Sequence, residues 1–237
     1  MKRLRLIAPL LVIAAILVAT VPAFAAKPDA ANLLATNWRV YNIMPATSSL
    51  WDINKAQYDD GVLSFPIQQF ESTTTGSFAV YLLNNYNVDL TGKTISANMS
   101  WTAGKYETRS TKFPGAYVRL EFQDVTAGRY DSNDYWWYTG SLDLNAVSSG
   151  TLTGDLKDRS QWTNICGQSA IDPTAQPGPN CVGGTDPDVS PYDGFTKAMK
   201  NVKQVGLSFG RASSYASGVA AVDTDQAVFN MRSFTIQ

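Results

Sequence analysis

Four aromatic side chains follow one another in the segment YDSNDYWWYTG: Tyr135, Trp136, Trp137 and Tyr138. Successive side chains of a β-strand point to opposite faces of a sheet. Leu142 and Leu144 lie further along the same predicted strand, on the side of Trp136 and Tyr138. We therefore expect Trp136 and Tyr138 to fill the core. Tyr135 and Trp137 are expected to face outward, where an exposed ring is able to stack on a ligand.

The segment AYVRLEFQDV predicts a neighbouring strand, and its apolar residues alternate with an outward row of Tyr117, Arg119, Glu121 and Gln123. A hairpin through the loop TAGRYDSN places this row beside Tyr135 and Trp137. Aromatic rings cover the apolar faces of sugars, and carboxylate, amide and guanidinium groups form hydrogen bonds with sugar hydroxyls. These six residues therefore predict a binding face for carbohydrate or cell-envelope glycan.

Packing alone offers another interpretation of the same rings. Aromatic residues are frequent in strands because they pack across the pleat. The outer rings would then be covered by the N-terminal segment or by the loop between the two cysteines. A bulge at Gly140 would also reverse the alternation and bury Trp137 instead of Trp136. A structural surface or matrix protein without a ligand is therefore one alternative function.

The chain contains no histidine. This excludes Ser-His-Asp and Cys-His nucleophiles, histidine-ligated zinc and copper, and the commonest general base. Glycoside hydrolysis stays open because it needs only two carboxyl groups at a suitable separation. Glu121 is the best candidate acid, and Asp143 is its nominal partner on the same face. We assign no catalytic residue, and a carboxylate-dependent polysaccharide-cleaving enzyme is the second alternative.

No cofactor is predicted, although three groups of residues offer the oxygen ligands that Ca²⁺ prefers: Asp131 with Asn133 and Asp134, Asp186 with Asp188 and Asp193, and Asp223 with Asp225. None of the three groups has the spacing of an EF-hand loop. Asp and Asn in loops are more often turn-forming residues than metal ligands. The metal ligands are therefore left unassigned, and a structural Ca²⁺ stays open.

Cys166 and Cys181 are the only cysteines in the chain. In an exported protein such a pair predicts a disulfide. The bridge would close a loop rich in proline and glycine, and a loop of this length is worth about 3 kcal/mol in the chain-entropy account of disulfides.

Period-two alternation recurs along the chain, whereas helical periodicity is nearly absent. Strands are predicted in SFAVYLL, TISANMSW, AYVRLEFQDV, KQVGLSFG and AVFNMRSFTI, with Val80 on the core side of the first. One short helix is predicted in DGFTKAMKNV, where Phe195, Met199 and Val202 share a face. Many short strands without intervening helices predict an all-β fold, a two-sheet antiparallel β-sandwich of the jelly-roll type.

The first 25 residues have the features of a signal peptide. Three basic residues precede an apolar run over 6–21, and Ala23 and Ala25 form a small-x-small site, so we expect cleavage after Ala25. An uncleaved membrane anchor is the alternative. Residues 26–237 are then expected to form a single β-sandwich domain, secreted to the extracellular space or the periplasm without integral membrane insertion.

The exported part of the chain is acidic. Without the three basic residues of the leader, 16 basic residues remain against 20 acidic ones, a net charge of −4. A cationic stripe that would hold phosphates is missing from the sequence, so nucleic acid is not an expected partner. Charged residues make up only 16% of the chain, below the usual quarter or so, which is typical of an extracellular β protein.

From Gly150 onward the chain resembles the end of laminin IV (B-type) domains and of related carbohydrate-binding or galactose-binding-like sandwiches. In that pattern a strand that contains tryptophan is followed by a glycine. A short helix of the form F-x-x-x-(L/M)-x-x-V then precedes an apolar strand, and one last strand follows. The matching positions here are Trp162, Gly167, Phe195, Met199, Val202, Val205, Leu207 and Phe209. The resemblance covers about the last 90 residues and concerns core positions. It implies a sandwich that binds glycans or matrix partners without catalysis, although the excursion between the cysteines departs from the pattern.

Overall fold

The computed structural model describes residues 33–35, 38–47, 49–109, 115–125, 131–178, 181, 189–212, 217–225 and 227–237. The predicted signal peptide, 1–25, lies outside these residues.

Fifteen strands and one α-helix occur in the described part of the chain. The strands are β1 (Trp38–Met44), β2 (Ser49–Lys55), β3 (Gln57–Asp59), β4 (Val62–Pro66), β5 (Phe78–Val88), β6 (Thr94–Trp101), β7 (Tyr106–Thr108), β8 (Tyr117–Gln123), β9 (Tyr135–Tyr138), β10 (Leu142–Asp143), β11 (Ser149–Asp155), β12 (Trp162–Asn164), β13 (Val202–Gly210), β14 (Val219–Ala221) and β15 (Val228–Ile236). The helix is α1 (Pro191–Lys200), and 3₁₀ turns lie at Leu33–Ala35, Ser132–Asp134 and Arg159–Gln161.

The strands form two antiparallel sheets. The large sheet contains ten of the described strands in the main order β12-β9-β8-β13-β5-β1-β2, with β10 paired to β8 and β14 paired to both β5 and β7. The small sheet contains five of the described strands in the order β11-β6-β15-β4-β3. The predicted two-sheet antiparallel β-sandwich with one short helix is confirmed.

The main core lies between the two sheets and takes apolar side chains from both. Leu120 and Phe122 of β8 lie on one side of it, and Ala97 and Met99 of β6 lie on the other. Rings also meet across the gap: Phe209 of the large sheet packs edge-on against Phe229 of the small sheet, with ring centroids 5.3 Å apart. Burying an aromatic or large aliphatic side chain of this kind contributes about 1.5–3 kcal/mol, so this contact between sheets is a principal source of stability.

The predicted short helix is present, but it covers Pro191–Lys200 and so begins and ends two residues earlier than the predicted segment DGFTKAMKNV. The Oγ of Ser190 accepts a hydrogen bond from the backbone N–H of Asp193 at 3.2 Å, and Pro191 occupies the first turn, where a missing N–H is harmless. Phe195 and Met199 are buried, as predicted, whereas Val202 lies beyond the helix and begins β13. In the described residues no helix has the length and apolar character needed to cross a membrane.

β5 contains a bulge that changes which of its side chains face the core. Tyr41 of β1 pairs with Tyr81, while Asn42 pairs with Ala79, so Val80 is an extra residue between two pairs. Val80 consequently packs with Tyr81 on the face opposite the main core. The expectation that Val80 lies on the core side was wrong, because a bulge depends on pairing with another strand and leaves no mark in the local alternation.

Cys166 and Cys181 form the predicted disulfide, with their Cα atoms 5.5 Å apart. The Oδ1 of Asn164, at the end of β12, accepts hydrogen bonds from the backbone N–H groups of Cys166 and Gln168 at 3.1 and 3.0 Å. The first turn of the loop is therefore fixed by a side chain as well as by the bridge.

Replacing both cysteines by serine is expected to lower the free energy of unfolding by about 3 kcal/mol, because the unfolded chain regains the freedom of a loop of this length. Urea unfolding followed by circular dichroism measures the change. An Asp172→Ala variant, inside the same loop but away from the bridge, serves as the control and should lose much less. Equal losses in the two variants would contradict the prediction.

Candidate binding face on the large sheet

The aromatic run forms β9, and its side chains divide between the two sides of the large sheet. β9 pairs with β8 in the predicted hairpin, with Glu121 opposite Trp137 and Phe122 opposite Trp136. Trp136 belongs to the main core, where its ring lies 4.9 Å from that of Phe195. Trp137 belongs to a separate cluster on the other side. The predicted alternation is therefore correct, and Gly140, which follows the end of β9, does not reverse it.

We call the side of the large sheet that faces away from the small sheet the outer face. The structure brings the six predicted site residues together there: Tyr117, Arg119, Glu121 and Gln123 along β8, and Tyr135 and Trp137 along β9. Pairing continues across the sheet, so that Trp137, Glu121, Gly206 and Leu83 form one row over β9, β8, β13 and β5.

Four of these six side chains are not exposed, and in this respect the expectation was wrong. Trp137 is 1% exposed, Arg119 3%, Glu121 0% and Gln123 4%. Tyr117 and Tyr135 are partly exposed. Alternation along a strand assigns a side chain to a face, but other segments of the chain decide whether that face meets water, and here they cover most of it.

Trp137 is buried in an outer cluster, which consists of Val80, Tyr81, Leu83 and Trp137, with Tyr41, Ile43 and Ile165 packed against it. Two strands, β8 and β13, lie between β9 and β5, so the side chains of the cluster from β9 and β5 meet above β8 and β13. Gly206 lies in the row between them and has no side chain that would block the indole. A Cβ at this position would collide with the backbone carbonyl of Leu82, so only glycine fits.

A buried carboxyl group lies at the centre of this face. The indole Nε1 of Trp137 donates a hydrogen bond to Oε2 of Glu121 at 2.8 Å, and Nε2 of Gln123 donates to Oε1 at 2.6 Å. The hydroxyl of Ser208, on β13, also forms a hydrogen bond with this carboxyl group. Three neighbouring strands are therefore connected through one side chain.

The protonation of Glu121 follows from its surroundings. Burial raises the pKa of Glu121 from 4.5 to about 8, although the hydrogen bonds from Trp137, Gln123 and Ser208 act to lower it. Burial also raises the pKa of Tyr81 well above 10, and the nearby carboxyl of Glu121 raises it further. At neutral pH this part of the face is therefore uncharged.

Arg119 is held by the segment that follows β13. Its Nη1 and Nη2 donate to the backbone carbonyls of Arg211 and Ala212 at 3.4 and 3.5 Å. Its guanidinium also lies 5.3 Å from the ring centre of Tyr117. The guanidinium thus supports the Tyr117 ring from one side.

Two residues of the network, Ser208 and Tyr81, were missed from the sequence. Ser208 lies between the core residues Leu207 and Phe209 in KQVGLSFG, and this alternation marks it as an outward side chain of β13. Tyr81 lies next to the core residue Leu82 in SFAVYLL, and the same alternation marks it as an outward side chain of β5.

The second carboxylate proposed for catalysis is not beside Glu121. Asp143 pairs with Tyr117, four residues from Glu121 along β8, which corresponds to about 13 Å. Glycosidase carboxyl groups lie about 5–9.5 Å apart. The Oδ1 of Asp143 instead accepts a hydrogen bond from the backbone N–H of Asn145 at 2.9 Å.

Several described members of the oxygen-rich groups considered for Ca²⁺ have structural roles. Asp131 and Asp134 form a capping box around the 3₁₀ turn Ser132–Asp134. Asp223 accepts a hydrogen bond from the backbone N–H of Lys105 at 3.0 Å. Asp186 and Asp188 lie outside the described residues. Within the described ranges no group of three His, Cys, Asp or Glu side chains is arranged to hold a metal ion.

Comparison with known proteins leaves the family open. No protein-family model matches the chain, and no curated protein is significantly similar to it. The resemblance to laminin IV and carbohydrate-binding domains therefore stays a prediction.

Three solved structures show a distant likeness. Xylanase10C from Cellvibrio japonicus, in complex with xylopentaose, is 13% identical with a TM-score of 0.33, and the match covers 86% of this chain but only 27% of the xylanase chain. The Triatoma virus empty capsid is 11% identical with a TM-score of 0.24, covering 99% of this chain and 80% of the other. Broad Bean Stain Virus is 10% identical with a TM-score of 0.19, covering 88% and 85%. TM-scores this low assign neither a family nor a function.

Trp137→Ala is expected to lower the free energy of unfolding by about 3–5 kcal/mol, because it opens a cavity in the outer cluster and removes a donor from a buried carboxyl. Tyr135→Ala, on the same strand and face but partly exposed, is the matched control and should lose much less. Urea unfolding of the two variants tests this, and a small loss for Trp137→Ala would contradict the burial.

Stability is expected to fall as the pH rises from about 4.5 to about 8, because the folded chain retains a proton on Glu121 that the unfolded chain releases. The shift in pKa corresponds to at most about 5 kcal/mol. Glu121→Gln resembles the protonated acid in shape and removes this dependence. The difference in unfolding free energy between the variant and the natural chain, measured from pH 5 to 8.5, should therefore grow with pH; a constant difference would refute the assignment.

Proposed function

We propose that this protein is an exported β-sandwich that binds carbohydrate or cell-envelope glycan on its outer face, without catalysis. The main support for the proposal is that two partly exposed aromatic rings and a buried polar network occur on neighbouring strands of one sheet. Tyr117 and Tyr135 are partly exposed, and the layer beneath them is a satisfied hydrogen-bond network around Glu121. Rings with a polar hydroxyl, held in fixed positions, are suited to the mixed apolar and hydroxyl surface of a sugar.

The dimensions of the face suit an oligosaccharide. Tyr135 pairs with Gln123, which lies six residues from Tyr117 along β8. The two tyrosines therefore lie about 20 Å apart along the strand direction. A ligand that touches both would extend along β8, above the groups that cover Arg119 and Glu121.

The six residues then divide into two roles. Tyr117 and Tyr135 stack on the ligand. The buried Trp137, Glu121 and Gln123 hold the β9 side of the face in place, and Arg119 supports the Tyr117 ring. Because the two rings are already held in place, less conformational entropy is lost when the ligand binds.

Export is supported by the disulfide. Bridges such as Cys166–Cys181 persist in extracellular and periplasmic compartments and are rare in the reducing cytosol. This agrees with the leader-like features of residues 1–25 in the sequence.

Cleavage of a polysaccharide is the second candidate function, and the pKa of Glu121 is what favours it. A carboxyl that keeps its proton near neutral pH has the state that a general acid needs. The binding function is preferred, because the predicted partner Asp143 is too far along β8 and both oxygens of Glu121 already accept hydrogen bonds within the protein.

A glycan array of residues 26–237, with and without Ca²⁺, tests the proposal. Tyr135→Ala and Tyr117→Ala should each weaken binding about two- to ten-fold, since a stacked ring contributes about 0.5–1.5 kcal/mol. Tyr58→Ala is the matched control, because Tyr58 is an exposed tyrosine on β3 of the small sheet, away from the outer face. Its affinity should be unchanged.

Three results would overturn the proposal. Equal loss in the Tyr58 control would place the ligand elsewhere. Release of reducing ends or unsaturated products would favour the enzyme. Self-association without glycan affinity would favour a structural surface protein.

A further inference from the structure

Glu121 is completely enclosed by its own protein. Its Oε1 accepts from Gln123 and its Oε2 from Trp137, and Ser208 supplies a further hydrogen bond from β13. With 0% of its side chain exposed, the carboxyl group is out of reach of a ligand that arrives from solvent. Any effect of Glu121 on binding must therefore pass through the groups that it holds.

We propose that Glu121 is a positioning residue whose proton controls the hold on Trp137, so that loss of this proton loosens β9 and weakens binding at Tyr135. The link to binding rests on the proposed function, whereas the link to Trp137 does not. Trp137 and Tyr135 lie on the same strand and face, two residues apart, so movement of one is transmitted to the other.

The physical reason is the absence of water around the carboxyl. Burial favours the neutral acid in this pocket, although the hydrogen bonds from Trp137, Gln123 and Ser208 act in favour of the carboxylate. A carboxylate there would be a buried charge beside the apolar side chains of the outer cluster, which is unfavourable unless it is paired or hydrated. Hydrating it requires water to enter between Trp137 and its cover, which includes Ile165 and Tyr41.

Charged and titratable groups lie near Glu121 on its own strand and on β9, β5 and β1. On its own strand, Arg119 is turned toward the carbonyls of Arg211 and Ala212. Tyr81 on β5 has a pKa raised well above 10 by burial, so it stays neutral. β9 contributes Tyr135. The residues of β13 opposite Gln123, Glu121 and Arg119 are Gln204, Gly206 and Ser208, and none of them is charged. Arg39 of β1 lies exposed at the far end of the row.

The indole N–H resonances give a direct test, because the described tryptophans have different acceptors. Trp137 donates to a carboxyl oxygen, whereas the indoles of Trp38, Trp101, Trp136 and Trp162 donate to backbone carbonyls. In a ¹⁵N–¹H titration of the disulfide-bonded protein from pH 6 to 10, the Trp137 peak should shift with a midpoint near 8. The other four are internal controls and should stay in place.

Two variants identify the group that titrates. Glu121→Gln should abolish the shift of the Trp137 peak. Ser208→Ala removes a hydrogen bond that lowers the pKa of Glu121, so it should move the midpoint to higher pH. A Trp137 peak that does not move over this range, or that moves equally in Glu121→Gln, overturns the proposal. The serine variant keeps the test decisive if the glutamine variant does not fold.

Glycan affinity across the same pH range tests the link to binding. For the natural chain it should fall at least five-fold between pH 6 and 9.5, while the affinity of Glu121→Gln, relative to its own value at pH 6, should not change. An equal fall in both proteins overturns the link. No glycan binding at any pH, with a normal Trp137 titration, would refute the proposed function and leave the control of Trp137 by the Glu121 proton standing.

Discussion

A carboxyl group without access to water must find its hydrogen-bond partners within the protein, and the hydrogen bonds of Glu121 with Trp137, Gln123 and Ser208 meet this requirement. The bonds reach β9 and β13 from β8, so they connect three strands on the side of the large sheet that faces away from the small sheet. Removing one partner would leave a polar group buried and unsatisfied, which is costlier than the bond itself is stabilising. The order of the outer face therefore depends on this one side chain.

The same strands explain why four aromatic residues occur in succession. An antiparallel sheet in a sandwich usually has one wet face, and its strands then alternate apolar with polar residues. β9 instead packs on both sides: Trp136 meets Phe195 in the main core, and Trp137 fills the outer cluster. A strand buried on both faces needs large apolar side chains at consecutive positions, and the run from Tyr135 to Tyr138 meets that need.

The sequence predicted the parts of this structure that depend on near neighbours. The strand TISANMSW was predicted over the range that β6 occupies, and the side of the sheet taken by each ring of β9 was also correct. What failed depends on distant segments. Side chains of β5 and β1 and the side chain of Ile165, next to the disulfide, cover Trp137. The bulge at Val80 exists only through pairing with β1. The separation of Asp143 from Glu121 likewise follows from the register between strands, because Glu121 lies opposite Trp137 and Asp143 lies opposite Tyr117; alternation along one strand does not reveal this register.

Gly206 limits how this protein can be altered. It lies between Glu121 and Leu83 in the row beneath the indole, and the carbonyl of Leu82 leaves no room for a Cβ there. A mutant library aimed at a new ligand preference would therefore lose every member that varies this position, however suitable the new side chain was chemically. Diversity has to be introduced at the rim of the sheet, around the two tyrosines, while the middle of β13 is kept as it is.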